Sequence, residues 1–256
     1  MSLRFEAKDL HVLCGSREIL KGISLALPAG EALAVVGESG SGKSTLLRTI
    51  LGDLPSDESV AGGDLLYEGT SLLSMRREER RALAGHDIAI MFQQPGRFLN
   101  PIRTIEKQFR DFLTAHGMRA RDTHDFAAEA LRKAGFEDPE RILSSYVFRL
   151  SGGQRQRVAL AMLLSFAPRL ILLDEPTAAL DVVAVRELLD TMRGELARGA
   201  SILLVTHHIH AASYLADQFL VLQKGRTVEA GRSRDILKHP QHPYTQALLD
   251  AALQVR

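Results

Sequence analysis

The chain of 256 residues carries 32 Lys and Arg against 31 Asp and Glu, a net charge of +1, so no global field recruits nucleic acid or an acidic membrane. Its length fits one large domain or two small lobes, and a 45% hydrophobic content supports a buried core. The single cysteine, Cys14, excludes an intrachain disulfide or a multi-cysteine metal centre and suits a reducing compartment. Met1 to Gly15 is interrupted by Arg4, Glu6, Lys8 and Asp9 and has no signal-peptide core. The longest apolar stretch, near Val158 to Ala167, falls short of the roughly 18–20 residues that cross a bilayer. The expectation is a chain soluble by itself, any membrane role of which must come through a partner.

Along the chain, short β-rich runs alternate with helical patterns. Ala32 to Val36 is an apolar run ending at a glycine, and a helical stretch follows from Lys43. Ile88 to Phe92 is a second short apolar run. Residues from about 95 to 150 have little buried-strand character. Phe109, Phe112 and Leu113, then Phe126, Ala130 and Leu131, predict amphipathic helices there, read as a helical lobe inserted into an α/β core. Leu170 to Leu173 and Ile202 to Val205 read as fully buried parallel strands, with helical spacing over 182–198 between them. After Gly231 come a short helix, a turn at His239-Pro240-Gln241-His242-Pro243 and a last helix to about Leu253. The domain organisation that follows is one domain over 1–256. Its nucleotide-binding core is 1–94 and 151–230, the lobe about 95–150, and the helical tail 231–256.

Gly37, Gly42, Lys43 and Ser44 fit the G-x-x-x-x-G-K-[ST] phosphate-loop pattern, with a strand before and a helix after. Glycines let backbone N–H groups turn inward around phosphate oxygens, and the helix N-terminus adds partial positive charge. Residues Gly37, Glu38, Ser39, Gly40, Ser41, Gly42, Lys43, Ser44 and Thr45 are therefore candidate ATP contacts. Lys43 is expected to reach the β- and γ-phosphates and Ser44 to ligate Mg²⁺. Arg169 to Glu175 is an apolar strand ending in two acids. Asp174 falls at the carboxyl end of that strand, where doubly wound sheets bind ligands, and is a candidate Mg²⁺ ligand. Glu175 is placed as the general base that polarises the attacking water.

Leu150-Ser151-Gly152-Gly153-Gln154, with the loop and the two acids, resembles the signature set of the ATP-binding cassette family. The resemblance covers essentially the whole chain. It implies a P-loop NTPase core with a mostly parallel sheet, an N-terminal antiparallel β region and an inserted α-helical lobe. It implies ATP hydrolysis with Mg²⁺ by two cassettes paired head to tail. In such a pair Ser151, Gly152, Gly153 and Gln154 touch the ATP held by the other subunit. Gln93 resembles the Q-loop glutamine, which senses Mg²⁺ and the attacking water. Ala178-Ala179-Leu180-Asp181 resembles the D-loop, placing Asp181 at the dimer interface, and His207 resembles the switch histidine that contacts the γ-phosphate. The implied partners are a second, different cassette subunit, two integral membrane permeases and an extracytoplasmic solute-binding protein, with no nucleic acid. The implied location is peripheral, on the cytoplasmic face of the inner membrane.

The pattern departs in three places. Cys14 stands where an aromatic residue often stacks on adenine; it is a candidate nucleotide contact, or a small buried apolar residue. Gln94 and His208 stand where Asp is frequent. Phe98-Leu99-Asn100-Pro101, Tyr146-Val147-Phe148-Arg149 and His242-Pro243-Tyr244-Thr245-Gln246-Ala247-Leu248-Leu249 look like the peptide and nickel importer group. Arg141-Ile142-Leu143 and Leu180-Asp181-Val182-Val183-Ala184 look more like its nickel-type first cassette. The favoured cargo is nickel or a metal–chelator complex. Dipeptide or oligopeptide import, or an accessory role in a phosphonate-processing complex, are the alternatives. His239 and His242 read as solvated turn residues rather than a nickel site.

Overall fold

A computed structural model describes residues 2–92, 98–178 and 180–254. Two long strands open the chain, β1 (Leu3–Cys14) and β2 (Arg17–Pro28), followed by β3 (Ala32–Val36) and α1 (Lys43–Leu51). Next come β4 (Glu58–Tyr67), β5 (Thr70–Ser71), α2 (Arg77–Leu83) and β6 (Ile88–Met91). A helical stretch holds α3 (Ile105–Ala115), α4 (Thr123–Lys133), α5 (Pro139–Ser144) and α6 (Gly152–Leu163). Then β7 (Leu170–Asp174), α7 (Val182–Ala197), β8 (Ser201–Thr206), α8 (Ile209–Leu215), β9 (Gln218–Gln223) and β10 (Arg226–Arg232) complete the sheets. The tail is α9 (Ser233–Lys238) and α10 (Pro243–Gln254).

The strands make two sheets. The N-terminal one is antiparallel, in the order β2-β1-β4-β5; the larger has the order β10-β9-β3-β8-β7-β6, parallel except for the β10 edge. This is the mixed α/β architecture expected, including the antiparallel N-terminal region.

Alternation sorts the side chains of the large sheet into two cores. Leu33, Val35, Leu170, Leu172, Leu203 and Val205 face the antiparallel sheet and α1, packing on Phe5, Ile23, Leu27 and Leu46. Ala34, Val36, Ile171, Leu173, Ile202 and Leu204 face Leu188, Met192 and Ala212 of α7 and α8. Both faces are covered, which is why these strands read as unbroken apolar runs. Burial of each Leu or Ile contributes about 1.5–3 kcal/mol. A third cluster, with Phe109, Leu113, Leu131 and Leu143 at its centre, holds α3, α4 and α5 together. It does not stop at residue 150: Val158 and Ala161 of α6 belong to it, while Leu160 of the same helix belongs to the α7–α8 core. Helix α6 therefore ties the helical region to the sheet.

Candidate functional site

Parallel strands end at one edge of the sheet, and the register brings their ends level. Val36 pairs with Thr206, Asp174 with Val205 and Met91 with Leu173. The loops that leave β3, β8 and β7 thus start side by side, carrying residues 37–42, His207 and Glu175. Gln93 and Gln94 follow β6 but lie outside the described residues, as does Ala179.

The 37–42 loop is held tightly. A Cβ at Gly37 would collide with the Leu222 carbonyl oxygen, and one at Gly42 would sit 2.7 Å from Leu20 Cδ2. Gly42 also has φ 106°, a left-handed conformation that caps α1 and that other residues rarely adopt. Glu38 N–H donates to the Tyr244 hydroxyl oxygen at 2.9 Å, so the tail braces the first corner of the loop. Glu38, Ser39 and Gly40 are exposed, Ser44 is exposed and Thr45 half-buried. Lys43 is buried; its ammonium donates to the carbonyls of Gly37 (2.7 Å) and Glu38 (2.8 Å). Burial lowers its pKa, while Glu175, Asp174 and Glu38 oppose that shift.

Asp174 has its pKa raised by burial and by the charge of Glu175, with Arg48, Lys43 and the Ser44 hydroxyl pulling the other way. One of its oxygens, Oδ1, is buried without a hydrogen-bond partner, and so is the Ser41 hydroxyl. Unsatisfied buried acceptors are costly. The Ser44 hydroxyl and the Asp174 carboxylate, side by side with one carboxylate oxygen unpaired, form a donor set that fits a hard cation such as Mg²⁺.

Glu175 adopts φ 47°, unusual for a residue with a Cβ. The conformation is held from several directions. Its N–H donates to Val205 O at 2.9 Å. Its carboxylate accepts from the Thr206 hydroxyl at 3.0 Å and from His207 N–H at 3.1 Å, and pairs with His207 Nδ1 at 2.8 Å. Strain of this kind gathers where surrounding contacts over-determine a functional geometry. His208 lies beside His207, and its pKa is lowered by burial first and by His207 second.

The signature and D-loop residues stand apart from this cluster. Ser151 caps α6, accepting from Gln154 N–H at 3.2 Å, while the Gln154 side chain accepts from Ser151 N–H at 2.9 Å. Ser151, Gly152 and Gly153 are exposed, and among the described residues no hydrogen bond links 151–154 to the loop or to Glu175. Asp181 caps α7, accepting from Ala184 N–H at 2.8 Å. Cys14 is neither an aromatic platform nor fully buried. Its thiol donates to Asp57 Oδ2 at 3.2 Å, and this bond heads the causes that raise its pKa. Nothing in the sequence pattern signals the Tyr244 contact, which spans the chain from tail to loop.

The family model described as ABC transporter matches residues 20–178. One described as the oligopeptide/dipeptide transporter C-terminal region matches residues 228–256. The chain is 40% identical over 240 residues to the uncharacterized ABC transporter ATP-binding protein YejF of Escherichia coli (strain K12), covering 92% of this chain and 45% of that protein. It is 37% identical over 263 residues to the dipeptide transport ATP-binding protein DppD of Caldanaerobacter subterraneus, covering 100% of this chain and 80% of that one. The chain thus spans less than half the length of YejF. These names give the nickel-type expectation no support. Among solved structures, cbiO1 from Clostridium perfringens, part of the ABC transporter complex cbiONQ, superposes with a TM-score of 0.80 at 25% identity over 93% of this chain and 92% of that one. A dimeric ATP-binding cassette in a post-hydrolysis state with ADP and Pi bound superposes at 0.74 and 27% identity over 90% and 99%. Sequence, topology and these matches agree: the chain belongs to the ABC transporter family, with the fold of its ATP-binding cassettes.

Proposed function

We propose that this chain is the ATP-hydrolysing cassette of an importer for dipeptides or oligopeptides. The observation that carries the cargo is the match of residues 228–256 to the oligopeptide/dipeptide C-terminal region, the same segment whose Tyr244 braces the phosphate loop. The nickel reading has no comparable support.

In this reading the 37–45 backbone and Lys43 hold the ATP phosphates. Glu175, fixed by Thr206 and His207, takes a proton from the attacking water as general base. His207 orients that carboxylate and lies where the γ-phosphate would arrive. Mg²⁺, held by Ser44, Asp174 and Gln93, would neutralise charge on the phosphate oxygens. The product is ADP and phosphate.

The site is then half of a pair. Glycines at 152 and 153 sit in the first turn of α6, and a Cβ at either would meet nothing within 4 Å. The chain's own packing gives no reason for glycine, the conformationally least restricted residue, at both places. Close approach of a group from outside the chain does, and a capped helix N-terminus suits a phosphate. A second cassette, contacting through Ser151 to Gln154 and Asp181, supplies it. Closure on ATP would then drive two permeases at the membrane's cytoplasmic face, fed by a solute-binding protein. The exposed Phe98, Ile102 and Phe148 of the helical region are a surface for a permease helix. No described helix is long and apolar enough to cross a membrane.

Ser151→Arg is expected to leave ATP binding by the isolated chain unchanged and to cut ATPase activity of the assembled complex at least about tenfold. Unaltered activity of that complex would remove the trans contact. For cargo, deleting the gene should abolish uptake of radiolabelled dipeptide and leave radiolabelled nickel uptake intact. The opposite pattern would reinstate nickel.

A further inference from the structure

The end of β8 gathers three metal-ligating side chains. Glu175, His207 and His208 each offer one ligand atom, all within 4.8 Å of one another. Consecutive residues in a strand point to opposite faces, but the chain turns here from β8 into α8, with His208 as the helix cap residue. The two imidazoles consequently lie side by side, ring centroids 4.0 Å apart. His207 engages Glu175 through Nδ1, and its Nε2 has no hydrogen-bond partner among the described residues. The His208 ring has none there either; only its backbone N–H is bound, to Thr206 Oγ1 at 2.9 Å. Both histidines are exposed and Glu175 is half-buried, so the His208 imidazole can turn while Glu175 and His207 hold one another.

We propose that Glu175, His207 and His208 form an inhibitory site for a borderline transition-metal ion of the Zn²⁺ class. Two imidazoles and one carboxylate, with a fourth position open to water, are a ligand set such ions favour. Zn–ligand bonds of about 2.0–2.2 Å require the three atoms to close up by roughly an ångström, which turning of the exposed His208 imidazole toward the Glu175–His207 pair would supply. Mg²⁺ prefers an all-oxygen octahedron and does not compete for this set. The three residues come together from two strand ends, so the site needs the folded sheet. The inhibitory part rests on the proposed role of Glu175: a carboxylate bound to metal no longer accepts a proton from water, and His207 is fixed with it. ATP and the metal would exclude each other, because the γ-phosphate would arrive at His207. Where the family pattern has an acid after the switch histidine, His208 turns a pair of ligands into a set with a second imidazole, whose neutral nitrogen suits Zn²⁺ over Mg²⁺.

The test begins with binding alone. Co²⁺ is titrated into the purified full chain without nucleotide and followed by visible absorption, then displaced with Zn²⁺. One equivalent of Co²⁺, a tetrahedral-type spectrum and displacement by Zn²⁺ are expected. His208→Asn should weaken Co²⁺ binding at least tenfold, and His242→Asn should leave it unchanged. In ATPase assays with Mg²⁺ in excess, Zn²⁺ should inhibit the wild type, while His208→Asn keeps its basal rate and shifts the inhibition midpoint at least tenfold upward. No stoichiometric Co²⁺ binding, or equal affinity in His208→Asn, overturns the site. Stoichiometric binding without inhibition, even at limiting ATP, would leave the metal site standing and overturn its inhibitory role, while the assignment of Glu175 as base is tested separately by Glu175→Gln.

Discussion

Glu175→Gln should bind ATP as the wild type does and turn it over about 10²–10⁴-fold more slowly, the range for loss of a positioned general base. The substitution keeps the shape and removes the proton acceptor. In the protein the Glu175 carboxylate receives the Thr206 hydroxyl, His207 N–H and the His207 ring. An amide has one oxygen to offer these donors and a nitrogen that repels them, so the side chain loses part of its fixing as well. Among the described residues the 37–44 loop makes no hydrogen bond with Glu175, which is why nucleotide affinity is expected to survive. Single-turnover hydrolysis and equilibrium binding of a fluorescent nucleotide separate the two. Wild-type turnover would remove Glu175 as the base.

Lys43→Ala should weaken ATP binding by about 30-fold to several thousand-fold, the range for truncating one member of a desolvated charge pair. Lys43 is almost fully buried at the loop, where burial lowers its pKa. Burying an ammonium is a cost to the free fold, lessened by its two carbonyl partners and by the acids nearby. In the proposed reading phosphate oxygens would supply the rest of the compensation, so the penalty of removal should appear in binding. Thermal stability of the nucleotide-free chain should change little by comparison, and a melting curve beside a nucleotide titration reads both. Wild-type affinity in Lys43→Ala would sink the phosphate-loop assignment.

Much of the scaffold is legible in the order of residues. The runs at 32–36, 170–173 and 202–205 are strands β3, β7 and β8 because both faces of the sheet are covered, and burial on both sides leaves a continuous apolar signature. The glycines at 37 and 42 are legible because nothing else fits against Leu222 and Leu20. The helical character of 105–144 follows from its spacing. The limit of that region does not, since α6 divides its residues between two cores and a single helical stripe cannot report two partners. The nickel-type expectation rests on short stretches around the signature and D-loop. Those stretches are a few residues each, whereas the match to the oligopeptide/dipeptide transporter region runs over residues 228–256.

The class of chemistry follows from residue order alone. A glycine-rich loop with Lys43 and Ser44, two acids closing an apolar strand, and a signature pentapeptide are local patterns, and local patterns survive in one dimension. What meets at the sheet edge is settled by folding in three. Parallel pairing of β3, β8 and β7 brings Lys43, Glu175 and His207 to one place from positions far apart in the chain. The same closure lets Tyr244 reach back to Glu38 and turns two neighbouring histidines and a distant glutamate into one ligand set. Those contacts depend on register and on the turn from strand to helix, which residue type alone does not encode.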